Sequence, residues 1–268
     1  MFRGDVPPRD RGESGDDAIS RHPGNPRPGR AARRPVCPGY PAVSDHRRDG
    51  ALTGIDIRIA NGLARRLGVK TEFVRTAKTT DALVQQAASG QVDIAISFIS
   101  RTVTRSLQVR LSRPYVTEHV ALALNRRAAL QVGVKCPESR DDLASLARGN
   151  WKIGAQRGTT FESVLSDVEL GDSMALFDDI GSMLAAVQSG THIGGLAGEV
   201  ALRYAMKVDP ALRVKVEICT FGEQKDNIAV AIRPDAPNLK EILDIAFDNV
   251  AIQVDAHGVV QAETDWDF

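Results

Sequence analysis

The feature that most limits what this chain can become is an internal echo. Leu83, Val84, Ala87, Ser89 and Gly90 recur in the same frame as Met183, Leu184, Val187, Ser189 and Gly190, each set followed by an apolar run and a loop. Apolar residues spaced three and four apart and closed by glycine mark a helix end, and the short apolar run after it marks a buried strand. A helix-to-strand unit used twice predicts an α/β chain with two similar lobes. A ligand is expected in the cleft between them.

The remaining segments fill in the same grammar. Ile55, Ile59, Leu63 and Leu67 lie at helical spacing with Gly68 after them. Thr71–Arg75 reads as a strand, Asp81–Ala88 as a helix and Val92–Ser97 as a buried parallel strand. Val36–Tyr40 is a short strand before a Gly-Tyr-Pro turn. Further on, strands are expected at Val120–Asn125, Lys152–Gln156, Met174–Phe177, Thr191–Leu196, Lys215–Cys219 and Asn227–Ile232. Helices are expected at Asp141–Ala147, from Gly158-Thr159-Thr160 through Leu165, and at Asp179–Gln188, Glu199–Met206 and Asn238–Val250. The first lobe is not easily finished without the C-terminal segment. The expected division is therefore 36–118 plus 233–268 for one lobe and 119–232 for the other, with crossings at Glu118–Asn125 and Asn227–Ile232.

Residues 1–35 are of another kind, with eight Arg, six Pro and no Leu. They show no helix or strand period and no apolar core of a signal peptide, and are read as an unstructured extension. Over the full 268 residues, Lys+Arg and Asp+Glu balance at 34 each. That balance argues against nucleic acid or an anionic membrane as the main partner, and no apolar run reaches the ~18 residues of a membrane span. Cys37, Cys136 and Cys219 are far apart and near no histidine pair, which argues against zinc. A Cys136–Cys219 bridge is one open option.

The stretch DIAISFISRTVTRSLQVRLSRPY, Asp93 to Tyr115, concentrates the chemistry. A strand running into a turn rich in hydroxyls and then a short helix gathers Ser97, Ser100, Thr102, backbone N–H groups and the Arg105 guanidinium. Such donors suit a small carboxylate. An ordinary strand-loop-helix with a surface arginine would read the same.

Taken together, DGALTGIDI from Asp49, SGQVDIAISFISRTVTR, LSRPY, IGAQRGTTFESVL and GEVAL resemble the family-3 extracellular solute-binding proteins, the polar-amino-acid receptors of ABC importers. The resemblance runs in order from about Val36 to Trp266. It implies a type II periplasmic-binding-protein fold, α/β with two lobes, each a mostly parallel sheet flanked by helices, joined by two crossover strands as a hinge. It further implies a monomer in the periplasm that closes on its ligand, works with an ABC-transporter permease, and uses no cofactor or metal. Arg105 falls on the family's carboxylate-binding arginine, and Ser100 on a ligand-facing hydroxyl. Thr160, with Thr159 beside it, falls on the second-lobe threonine at a helix N-terminus. Tyr40 falls on an aromatic that packs against the ligand.

The ammonium half departs from the pattern. Gly198 stands where an acidic residue normally neutralises the ligand's amino group, with Glu199 following. Phe98 replaces a small or hydroxyl residue, and Thr80 replaces a second aromatic. Either Glu199 swings in to substitute, or the ligand is an organic acid without the usual ammonium. The resemblance extends to cyclohexadienyl dehydratase, for which Glu199 is the candidate general acid and His192 the histidine nearest the cleft. A receptor that has lost binding is a further alternative.

Overall fold

The computed structural model describes residues 45–46, 52–147, 150–168 and 170–249. The N-terminal extension, Tyr40 with its expected strand Val36–Tyr40, Cys37 and the tail from Val250 lie outside them.

The two longest strands carry the architecture. β5 (Val116–Asn125) and β9 (Val216–Ile232) pair antiparallel along most of their length. Val116–His119 lie opposite Lys225–Ile228, and Ala121–Asn125 lie opposite Val216–Thr220. Between the two blocks a single residue of β5, Val120, faces residues 221–224 of β9, a bulge that lets both strands bend at one level. Lys215–Cys219 and Asn227–Ile232, expected as two strands, are therefore the ends of one. The polar run Glu223–Asp226 between them hides the continuity in sequence.

On one side of this pair, β9 takes β3 (Ile94–Ser100) and β4 (Arg110–Leu111), both antiparallel. On the other, β5 takes β8 (Gly194–Gly198), then β6 (Ile153–Gln156) and β7 (Met174–Phe177), the last three parallel to one another. A two-stranded ribbon of β1 (Asp45–His46) and β2 (Leu52–Thr53) stands apart.

The core is divided along the same line. α1 (Ile55–Arg66) buries Ile55, Ile59 and Leu63 against Ile94, Ile96, Val230 and, from α10 (Pro237–Asn249), Leu239 and Leu243. α2 (Thr80–Ala88) covers the opposite face with Leu83, Val84 and Ala87 against Ile99, Ala229 and Ala231. Beyond the crossover, α7 (Ile180–Ser189) buries Met183 and Val187 with Ala121, Ala197 and Val216. The other face gathers Leu122, Leu124, Ile153, Leu196 and Phe161. The echo in the sequence is thus an echo in space: α2 and α7 bury matching positions and each leads into a buried strand. Their starts are capped alike, with Thr79 Oγ1 accepting from Ala82 N at 3.1 Å and Asp179 Oδ1 from Ser182 N at 2.8 Å.

Several boundaries move. Residues 71–75 hold only an isolated bridge at Glu72, and the strand expected at Val92–Ser97 runs from Ile94 to Ser100. The helix expected at Asp141–Ala147 forms as a tight turn, Arg140–Asp142, then α5 (Leu143–Leu146), because the Asp142 carboxylate takes the Ser139 and Glu138 amides and holds the turn closed. The strand expected at Thr191–Leu196 is displaced to Gly194–Gly198. Two helices appear that the periodicity does not predict: α4 (Arg126–Val132), capped by Asn125, and α9 (Pro210–Lys215), capped by Asp209.

Cys136 and Cys219 form a disulfide that ties the segment after α4 to β9 across 83 residues of chain. In the chain-entropy account, closing a loop of that length removes denatured-state freedom equivalent to about 4.5 kcal/mol. Replacing both cysteines by alanine, or reducing the bond, is expected to lower the melting temperature by about 5–15 °C, read by thermal unfolding with and without reductant. An unchanged midpoint would show that the cross-link adds nothing to the fold.

Candidate functional site

Three elements converge at the end of β3. Thr102 caps α3 (Val103–Ser106) by accepting the Arg105 amide at 3.2 Å, which sets Arg105 one turn from the strand end. The residue is 5% exposed; Nη1 donates to Ser100 O at 3.0 Å and Nη2 pairs with Asp81 Oδ1 at 3.1 Å. Asp81 lies in the first turn of α2 with its side chain 65% exposed, so water competes for that pair and it is weak. The guanidinium keeps further N–H donors.

From the other half, α6 (Thr160–Asp167) points its N-terminus at the same place. Thr160 Oγ1 and Ser100 Oγ lie 3.2 Å apart, and Ser100 Oγ donates to Asp226 Oδ2 at 2.7 Å. A hydroxyl has one proton. With Ser100 donating to Asp226, Thr160 must donate to Ser100, so one relay links the second half, the first half and the crossover strand. Arg105, Thr160 and Thr159 line a cleft of about 480 Å³ together with Asp81, Thr102 and Gln108. Thr159 does not cap α6; its hydroxyl donates to Gln156 O at 2.6 Å. Thr80, half-buried, is the first residue of α2. Just before it, Thr79 meets the neighbouring loop so closely that a Cβ on Gly158 would lie 2.9 Å from the Thr79 Cβ.

Ser97 is buried and its Oγ has no hydrogen-bond partner among the described residues. Phe98 follows with φ of 48°, a left-handed backbone that a bulky residue adopts only under constraint. Its ring is buried edge-on against Tyr115, centroids 6.1 Å apart, and Tyr115 in turn donates to Asp56 at 2.7 Å. Phe98 is thus a packing residue of the first core.

Glu199 is engaged by neighbouring side chains in this structure. It opens α8 (Glu199–Val208), is 7% exposed, and is held by Arg203 Nε at 2.6 Å and Nη2 at 2.5 Å, with His119 Nδ1 at 3.1 Å. His192 is remote from this constellation: it packs edge-on to Phe177 and contacts Thr191, and burial with the nearby Lys152 lowers its pKa.

Glu118, which sequence reasoning treated only as a strand residue, lies directly against Gly198. It is 2% exposed, and its Oε2 accepts the Val200 amide at 2.8 Å, the free N–H of the α8 N-terminus. Its Oε1 lies 2.3 Å from where a Cβ on Gly198 would be. Burial, reinforced by Asp226 and Glu199 and partly offset by the Val200 amide, raises its pKa to about 8. Asp226 is raised as well, by burial, against the opposing pull of Ser100 and Arg105. No signal within one strand shows that position 118 meets position 198.

Residues 35–253 match the profile described as bacterial extracellular solute-binding proteins, family 3. Among curated proteins, the chain is 25% identical over 163 residues to an arginine-binding periplasmic protein of Mannheimia haemolytica, covering 61% of this chain and 60% of the relative. It is 24% identical over 192 residues to the L-cystine-binding protein of Escherichia coli K12, covering 71% and 67%. The matches thus span about three-fifths to two-thirds of those relatives' own length. Among solved structures, an ancestral amino acid-binding protein described as a precursor of cyclohexadienyl dehydratase superposes with a TM-score of 0.71 at 24% identity, covering 87% of this chain and 94% of that one. An amino acid ABC transporter substrate-binding protein of Streptococcus pneumoniae bound to L-arginine superposes at 0.70 and 24% identity, covering 87% and 92%. At this identity the superpositions establish the fold, that of the type II periplasmic-binding proteins.

The raised Glu118 carboxyl has a consequence for stability. Below its ordinary value of 4.5 the group is protonated folded or unfolded; between there and about 8 the unfolded chain releases the proton while the native one keeps it. The native state then binds more protons, so stability falls as pH rises through that window. Asp226 acts in the same direction. Glu118→Gln is expected to flatten this part of the profile, read from denaturant midpoints between pH 5 and pH 8. An unchanged slope would mean that Glu118 ionises freely.

Proposed function

Because the chain belongs to the bacterial extracellular solute-binding proteins of family 3, we propose that it is the capture subunit of an ABC importer. It takes a small carboxylate ligand, an amino acid or a related organic acid, into a cleft between two lobes that close about β5 and β9. The lobes are 36–118 with 233–268, and 119–232. The protein acts outside the cytoplasm, in the periplasm, as a monomer that delivers its ligand to a membrane permease.

The observation that carries this reading is the meeting of Ser100 and Thr160, at 3.2 Å, on the rim of the cleft that Arg105 lines. A guanidinium with donors to spare, two hydroxyls and a helix N-terminus are the donors a carboxylate needs. They come from opposite sides of the crossover, so a ligand bound to both would favour the closed arrangement. The Cys136–Cys219 disulfide supports an oxidising compartment.

Thermal shift followed by calorimetry against the standard amino acids and a set of small organic acids tests the proposal. One ligand is expected to stabilise the protein. Thr160→Val should weaken its binding by about 5- to 15-fold, the loss of one hydrogen bond. Arg105→Lys should lose more, since an ammonium cannot present the planar fork. No stabilising ligand, or binding indifferent to both substitutions, would reject the reading.

One feature favours a second reading, a dehydratase on this fold: Glu118 is 2% exposed, and burial raises its pKa to about 8, in the direction that suits a general acid. Glu199, bound to Arg203, is unsuited to that task. Turnover of prephenate or arogenate, lost in Glu118→Gln, would establish it.

A further inference from the structure

Ser100 and Thr160 meet across the two halves with the protons of their hydroxyls already committed. Ser100 Oγ lies 2.7 Å from Asp226 Oδ2 and 3.2 Å from Thr160 Oγ1. Each hydroxyl carries one proton. While Asp226 accepts that of Ser100, Thr160 gives its own to Ser100, so both protons point inward along the chain Thr160, Ser100, Asp226. Neither is then left for a carboxylate in the cleft, although Thr160 lines it.

A second state of the same three groups points the other way. With a proton on Asp226, its carboxyl donates to Ser100, Ser100 donates to Thr160, and Thr160 donates outward. The heavy atoms keep their places and only the direction of the hydrogen bonds changes. The surroundings of Asp226 weigh one state against the other. Asp226 is half-buried on β9, and Glu118 is its direct register partner on β5, a pairing in which two negative charges are unfavourable. Burial moves the Asp226 carboxyl up from its usual 3.8, against the opposing pull of Ser100 and Arg105. Arg105 is itself shared with Asp81 and Ser100 O. Glu118 from β5, Arg105 from α3 and, behind Arg105, Asp81 from α2 are therefore the charged groups that set the balance. Ser100 from β3 and Thr160 from α6 are neutral. A ligand carboxylate at Thr160 adds negative charge beside Asp226 and competes for Arg105, and both effects favour the protonated acid.

We propose that Asp226 sets the direction of this relay, so that capture of a ligand carboxylate at Thr160 is accompanied by uptake of one proton at Asp226. The inference rests on the receptor reading and adds a proton linkage to it. The proton passes from solvent to an Asp226 oxygen. The Ser100 proton turns from Asp226 to Thr160, the Thr160 proton turns from Ser100 to the ligand oxygen, and no bond between heavy atoms forms or breaks. Asp226 acts through the two hydroxyls and is a positioning residue. Affinity for a carboxylate rises as pH falls, by at most about tenfold per unit while Asp226 is ionised in the free protein.

Calorimetry with the standard amino acids, pyruvate and 2-oxoglutarate, run between pH 6 and pH 8 in buffers of different ionisation enthalpy, tests it. For whichever compound binds, the wild-type protein is expected to take up a proton, seen as a binding enthalpy that varies with the buffer. Binding should be about 3- to 30-fold tighter at pH 6 than at pH 8. Asp226→Asn keeps the volume and presents an amide N–H to Ser100, as the protonated acid would. It should bind at pH 8 at least as tightly as the wild type, with a flat pH profile and no proton uptake. Thr160→Val, which cuts the relay between Ser100 and the cleft, should bind more weakly and also without uptake. Glu118→Gln, which removes the other raised carboxyl, should leave the uptake in place. Binding by the wild type without proton uptake overturns the proposal and leaves the receptor reading standing. Uptake that survives in Asp226→Asn or Thr160→Val, or that is lost in Glu118→Gln alone, overturns it as well. Failure of every compound to bind removes both readings.

Discussion

Everything distinctive about this molecule depends on two strands that stay paired while the cores on either side of them do not mix. β5 and β9 share hydrogen bonds along most of their length, yet the apolar residues around their two ends belong to separate packed groups. A continuous backbone ladder resists shear but bends readily where its register breaks, and the break at residues 221–224 opposite Val120 supplies that bend. The arrangement keeps the two cores separate while one ladder joins them. It also explains why the polar groups of interest gather near this level: Glu118 and Asp226 lie one or two residues from the bulge, and Ser100 and Thr160 meet beside it.

The electrostatics follow from the same place. Crossover strands are buried by both halves, so a carboxylate on them loses water from every side. Glu118 responds by keeping its proton and Asp226 by recruiting Ser100 and the field of Arg105. Glu199 solves the same difficulty differently, with Arg203 one helical turn away. Three acids within a short span thus reach three different accommodations.

What the sequence made legible, and what it hid, divides along range. Helices with a repeating apolar stripe and a cap, such as α1, α2 and α7, were readable because periodicity and capping are local properties. The same holds for the end of β3 and its turn, so Ser100, Arg105 and Thr160 could be gathered at one point before any coordinates. β9 was read as two strands because its middle is polar, and polar residues in a crossover signal function rather than a loop. α9 carried a readable mark, Asp209 followed by Pro210 at the first helical position, in a segment too short for periodicity to confirm. Glu118 was not readable. Its placement depends on the missing side chain at Gly198, a distant position, and pattern reading registers residues that are present, not the volumes they vacate. Glu199 was adjacent in sequence to the vacancy and drew attention that geometry assigns elsewhere.

Gly158 and Thr79 touch across the opening between the two halves, the one just before α6 and the other just before α2. The left-handed backbone at Gly158, with φ of 71°, and the absence of a side chain let the two loops come together without a gap. A methyl group at position 158 would press on Thr79 and push the two loops apart at the lip of the cleft. How near the two loops lie is set by the smallest residue on the rim as much as by the charges at the centre.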